Sequence, residues 1–215
     1  MFNGDRDLSQ TKSSHINLVA IGAVLLVFFA LVGYVLGPLL LKQQSENLLW
    51  YSLHIMGGTL VLAIGPFQFV APLRNRFWRY HRSAGYIYLA GLAMTVVGYV
   101  GLPKNELFFA SQTVVLSLWV LCALFAVVAI KRKNLHAHQH NMARGFVFAA
   151  YFLTARLIDK HGMWLLLPFA KTESIRLVHS DWLAWVVPLV LVEIYFGIKS
   201  KAKVSAVKKE NNVAV

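Results

Sequence analysis

The chain has 215 residues, 58% of them hydrophobic and 14% charged, and its 21 Lys and Arg against 9 Asp and Glu give a formal net charge of +12. A soluble domain carries charge on about a quarter of its residues. The polar surface is therefore too small for a water-solvated globule, and lipid must solvate most of the chain. The basic excess borders apolar runs instead of covering a soluble face, which argues against nucleic acid and for anionic lipid headgroups as its partner.

Six apolar runs follow in order, at residues 17–41, 48–72, 82–103, 107–130, 141–158 and 181–198. Each has the roughly 18 to 25 residues that a helix needs to cross a hydrocarbon core about 30 Å thick. None alternates with period two, and lipid admits only helices or closed barrels. The predicted fold is an all-α, six-helix transmembrane bundle over 17–198. A cytoplasmic N-terminal tail (1–16) and a basic cytoplasmic C-terminal tail (199–215) flank it. No linker, low-complexity tract or repeat divides the chain further.

The first run is too long for a signal-peptide core, and Leu36-Gly37-Pro38 to Lys42 offers no small-x-small cleavage site, so it is predicted to remain a helix. Gly65-Pro66 is the place where the second would break. The third lines up Ala84, Gly91 and Gly98 at seven-residue spacing, a stripe suited to close helix packing. The fourth holds Cys122, the single cysteine, which excludes an intramolecular disulfide and a thiolate metal cluster and reads as a small packing residue. Between the fifth and sixth, the apolar stretch from Trp164 to Phe169 is expected to lie along the outer interface, where Trp is favoured.

Basic residues set the orientation, because they hold loops on the cytoplasmic side. Arg6 and Lys12 precede the first run. Arg74, Arg76, Arg79 and Arg82 fill the second gap, Lys131 to Lys133 the fourth, and Lys199, Lys201, Lys203, Lys208 and Lys209 the tail. Lys42 and Lys104 are alone in the first and third. Both termini are thus expected in the cytoplasm.

Polar side chains inside such runs are costly, which makes them the candidate functional residues. Counting about 1.5 Å per residue, His54 lies about 9 Å and Arg156 about 8 Å below the outer surface. The matching depths allow an anion-binding pocket. The alternative has His54 bonding a neighbouring carbonyl and Arg156 reaching toward Asp159 or the headgroups. A cytoplasmic-side layer comprises Gln68, His81, Arg82, His138, Arg144 and Glu193. Glu193, roughly 8 Å inside the end of its run, needs a countercharge or a proton, and Arg144 is the expected partner.

A b-type haem needs two imidazoles from different helices at one depth. His81 with His136, His138 or His140 meets that condition, and His81 with His138 is the candidate metal-ligating pair. Quinone contact or proton relay are the other uses of such histidines. The run from His136 to His140 puts only His136 and His140 on one helical face, with no carboxylate or thiolate close in sequence to complete a metal shell. No Walker loop, nucleophile elbow or dinucleotide fingerprint is present, so no catalytic residue is assigned.

The stretch His54-Ile55-Met56-Gly57-Gly58, continuing through Leu62, Gly65-Pro66 and Gln68-Phe69 to His81-Arg82, Gly85 and Tyr88, resembles the bacterial multi-pass membrane proteins grouped as domain of unknown function 2306. His138, Met142, Arg144 and Arg156 are similar to that family's second polar signature, with Glu193 as a third element. Where the family tends to show an Arg and a Trp between that His and Met, this chain has His140 and Asn141. The resemblance implies an integral membrane fold and assigns no activity. The expected function is a membrane redox or proton-handling module using haem b or quinone. A non-redox protein binding or transporting an anionic small molecule or lipid, or an assembly partner for other proteins, is the alternative.

Overall fold

The computed structural model describes residues 19–35, 37 and 47–213, without the side chains of 202–204 and 206–213. The N-terminal tail with Arg6 and Lys12, the segment around Leu36, Pro38 and Lys42, and the Lys203, Lys208 and Lys209 side chains fall outside the described residues. Those described form helices and no strands. They are α1 (Val19–Val35), α2 (Leu48–Phe69), α3 (Ala71–Arg76), α4 (Trp78–Gly101), α5 (Glu106–Lys131), α6 (Leu135–Leu157) and α7 (Glu173–Val213). A π-helical turn (Ile158–Gly162) and a 3-10 turn (Met163–Leu166) lead from α6 toward α7.

The helices α2, α4, α5 and the Glu173–Lys201 part of α7 are long and apolar enough to span a membrane, and α1 is a shorter apolar helix. The expected run 141–158 lies within α6, which is 23 residues long but carries His136, His138, His140, Arg144 and Arg156 and so falls below that apolarity. The chain divides into two compact units, Met1–Leu102 and Pro103–Val215.

In the first unit, α2 stops at Phe69, short of the expected residue 72. Pro72 has no N–H for the Gln68 carbonyl, so the chain turns through Val70 and restarts as α3 with the proline at its head. Pro66, by contrast, stays inside α2 without ending it. Four residues earlier than expected, α4 begins at Trp78; it ends where Leu102 is held extended by Pro103. Phe29 of α1 stacks on Phe67 of α2, with centroids 5.6 Å apart.

The seam between α2 and α4 is built from glycines. A Cβ on Gly57 would lie 2.6 Å from the Thr95 amide nitrogen, and one on Gly98 would lie 2.7 Å from the Trp50 carbonyl oxygen. Gly91 faces Val61 and the Gly57 carbonyl at similar range. Ala84 is buried with them, so the small-residue stripe serves helix packing. His54 reinforces the seam: its Nδ1 meets the Thr95 carbonyl at 3.1 Å.

In the second unit, α5 and α6 form a tight hairpin. Asn105 and Asn134 cap the two helices through their side-chain oxygens, which accept from Leu107 N and Ala137 N at 3.0 Å each. Lys133 takes the left-handed conformation (φ 58°) that closes the turn. Trp119, Cys122, Ala123 and Ala126 of α5, Phe148 and Leu153 of α6, and Ala184 and Trp185 of α7 make the core. The last helix starts at Glu173, eight residues earlier than the expected run, and at 41 residues and about 1.5 Å each it is roughly twice as long as a hydrocarbon core is thick. It carries Lys199 and Lys201 beyond the apolar part.

Overpacking the glycine seam is expected to cost stability. Gly57→Ala should lose about 1–3 kcal/mol, because backbone atoms on α4 would have to move. Gly58→Ala, whose Cβ meets nothing within 4 Å, should change stability by less than about 0.5 kcal/mol. Thermal unfolding of both variants in mild detergent tests this, and equal effects would refute the seam.

Candidate functional site

Of the residues singled out by depth, His54, Gln68, His81 and Arg82 belong to the first unit. His54 is held by the Thr95 carbonyl and packs 6.4 Å from the Tyr99 ring, between centroids. Since a carbonyl oxygen can only accept, Nδ1 carries the hydrogen of this bond. Gln68 is 6% exposed, and its Nε2 is buried without a hydrogen-bond partner. Because α4 starts at Trp78, His81 and Arg82 lie inside the helix and not at its head. Arg82 is exposed and turns along its own helix to the Tyr86 hydroxyl at 3.4 Å.

The second unit brings polar residues of α6 and α7 together in two clusters. In the first, Arg144 donates from Nε to Glu193 Oε1 at 2.6 Å and from Nη2 to Oε2 at 2.9 Å, a two-point grip that matches an ionised carboxylate. His140 adds Nε2 at 3.2 Å from Oε2 and lies against Phe196, with centroids 4.3 Å apart. The pairing expected from depth is thus present, with His140 as a third member that the sequence reading did not place beside Glu193. Helix geometry explains the miss: α6 begins at Leu135, six residues before the expected run, so His140 is one turn from Arg144 on the same face. Two residues before His140, His138 sends Nδ1 to the Ala126 carbonyl of α5 at 2.9 Å.

The second cluster was not foreseen as a site. Tyr151, two turns along α6 from Arg144, donates its hydroxyl to Asp181 Oδ1 at 2.5 Å. Ser180 donates to Asp159 Oδ1 at 2.6 Å, and Trp185 Nε1 donates to Ser111 Oγ of α5 at 3.3 Å. Asp181, Ser180 and Ser111 are all buried. Arg156 stands at the edge, 54% exposed, with Nη1 3.9 Å from Asp159 Oδ2 and its guanidinium 5.1 Å from the Phe152 ring centre. Its charge is therefore directed to Asp159. The available sequence signal was the seven-residue spacing of Arg144 and Tyr151, which places both on one face of α6.

Beside this cluster, Thr154, Ile158, Gly162, Leu166, Leu183 and Pro188 line an apolar cleft of about 270 Å³. Below the turn, Trp164, Leu165, Leu167 and Phe169 are exposed while Leu166 is buried. No group of three or more His, Cys, Asp or Glu with metal-binding geometry occurs among the described residues.

The two clusters differ chemically. Around Glu193 the charges are matched, so the carboxylate is a fixed anion whose loss exposes a cation and whose partner's loss exposes an anion. Arg144→Leu should therefore destabilise the protein by about 1–3 kcal/mol, less than for a fully buried pair, whereas Arg144→Leu combined with Glu193→Leu should recover most of that loss. Unfolding of the single and double variants decides the matter; equal losses would mean that Arg144 acts through contacts other than Glu193.

No curated protein matches the chain, and no solved structure does. A family profile described as a predicted membrane protein covers residues 51–196, a segment that includes both polar clusters and all but the first and last stretches of the helical chain. This protein accordingly belongs to the family called domain of unknown function 2306, the predicted membrane proteins.

Proposed function

We propose that the protein is a proton-handling module of a bacterial inner membrane, with the α5–α6–α7 unit as its working part. The observation that carries this reading is the pair of α7 carboxylates, Asp181 and Glu193, each bonded from α6 by a different kind of donor, a phenol and a guanidinium. They stand twelve residues apart, about 18 Å along the helix. Ionisable groups are retained at such depth where they move protons or bind ions. A non-redox anion site at His54 and Arg156 has less support, because Arg156 faces Asp159 and His54 faces a carbonyl.

A redox form of the same reading is favoured by one contact. His138 donates from Nδ1 to Ala126, which leaves Nε2 with the lone pair that an axial haem ligand or a quinone contact requires. Haem b would supply one-electron chemistry to which proton movement is coupled. Assembly with other proteins remains the reading in which neither carboxylate has a chemical role.

For the topology we propose six crossings with both termini cytoplasmic, supported by the basic residues at Arg74 to Arg82, Lys131 to Lys133 and Lys199 onward. In a Cys122→Ser background, Asn134→Cys should react with an impermeant thiol reagent only after the inner face is opened, and Lys104→Cys in intact spheroplasts. The opposite pattern would invert the orientation.

The functional test uses full-length protein in liposomes with a trapped pH dye, after its dithionite-reduced minus oxidised spectrum has been taken. Potential-driven proton uptake above that of protein-free liposomes is expected, falling to that baseline when Asp181 is changed to Asn. Bands that shift on reduction and vanish in His138→Ala would establish the redox form; a featureless spectrum would leave proton handling without haem. Uptake no greater than the protein-free baseline, with or without an added quinol, refutes the reading.

A further inference from the structure

Asp181 is surrounded in a way that suits a carboxylic acid and not a carboxylate. Only 6% of the residue is exposed. Its Oδ1 accepts the Tyr151 hydroxyl, while its Oδ2 is buried with no hydrogen-bond partner. Each element packed around it supplies a neighbour, and none supplies a cation bonded to the carboxyl. From α5, Ser111 offers the carboxyl a neutral hydroxyl, while its oxygen takes the Trp185 N–H. From α6, Tyr151 offers one neutral donor, and Arg156, the cation that acts on the site, is directed outward to Asp159.

The π-helical turn contributes Asp159, a second carboxylate, whose charge opposes another beside it. On α7 itself, Ser180 donates to Asp159, and His179 turns its Nδ1 to the Ile175 carbonyl. An ionised Asp181 would thus have two neutral donors, the Tyr151 phenol and the Ser111 hydroxyl, and a guanidinium turned elsewhere in place of a hydration shell, a cost of several kcal/mol that these only partly offset. With a proton on Oδ2 the group is neutral, and Oδ1 remains the carbonyl-type acceptor that Tyr151 needs. The contrast with Glu193 is direct: there two guanidinium nitrogens occupy both oxygens.

We propose that Asp181 is a proton-binding site of the second unit, holding its proton on Oδ2 at neutral pH, with Tyr151 as the residue that steadies the carboxylate formed when the proton leaves to a solvent base. The assignment rests on the proton-handling reading and names the carboxyl that carries the proton, while Glu193 serves as fixed charge. Tyr151 is a positioning residue in this scheme.

Infrared spectroscopy of the full chain in lipid nanodiscs reads the protonation state directly, because the C=O stretch of a carboxylic acid is separate from carboxylate bands. At neutral pH such a band is expected in the wild type, absent from Asp181→Asn, and moved to higher frequency in Tyr151→Phe, which removes one hydrogen bond from that carbonyl. A spectrum without an Asp181-dependent band overturns the assignment. So does a band that sodium removes at fixed pH where choline does not, since a cation would then occupy the site.

Should Asp181→Asn fail to fold, the wild type treated with an apolar carbodiimide gives the second reading. The acid adds its O–H across one C=N bond, oxygen to carbon and proton to nitrogen, and the adduct rearranges to a stable acylurea found by peptide mass spectrometry. Label on Asp181 and not on Glu193 supports the proposal, and any pattern lacking Asp181 overturns it. If the band or label is present in protein whose liposomes take up no protons, the proton-handling reading falls and the Asp181 assignment stands. Uptake without the band has the reverse meaning.

Discussion

The grip of Arg144 on Glu193 is the interaction on which the arrangement of α6 and α7 depends. Neither charge is tolerable alone among helices solvated by lipid, and each can be matched only if the two helices meet at one register. Nε and Nη2 reach separate oxygens at 2.6 and 2.9 Å, so rotation of either helix by a few tens of degrees would break at least one bond. Apolar side chains on these helices cannot fix register in this way, since lipid tails replace them at little cost. The matched charges therefore set the phase in which Tyr151, two turns along α6, faces α7 at Asp181.

A different device holds the first unit together. Where α2 meets α4, no charge pair is found among the described contacts; instead Gly57, Gly91 and Gly98 let backbones approach until a methyl group would collide. Close approach gains dispersion contacts that lipid cannot match, and it brings the Thr95 carbonyl within reach of His54. The imidazole is thereby a packing element first. Its Nδ1–H is committed to the seam.

Much of the fold was legible because lipid imposes simple demands on sequence. Run length and the absence of alternation located the helices, and the spacing of Ala84, Gly91 and Gly98 announced the close seam. Helix ends were read less well. Pro72 and Pro103 act on the residue before them or four before them, so α2 stopped short of its apolar run and α4 ended on an extended Leu102. At α6 and α7 the helices continue into polar sequence at Leu135 and Glu173, where hydropathy no longer tracks structure. Depth along a run was enough to pair Glu193 with Arg144. It was blind to Tyr151 and Asp181, because a tyrosine looks like interior packing and an aspartate at the edge of a run looks like a boundary.

Two carboxylates on one helix with unlike donors are hard to explain by stability alone. If both served only to anchor α7 against α6, the guanidinium solution adopted at Glu193 would be the effective one at Asp181 as well, and Arg156 lies only five residues beyond Tyr151 on the same helix. It is turned instead to Asp159, leaving Asp181 with neutral donors alone, the Tyr151 phenol and the Ser111 hydroxyl. A matched ion pair resists protonation, since the proton must displace a bonded cation. A carboxyl bonded by a phenol meets no such obstacle, and the charge it acquires on losing a proton is only partly stabilised. The asymmetry gives one helix a fixed charge at one level and a titratable group at another, and that combination is what proton handling requires of a membrane bundle.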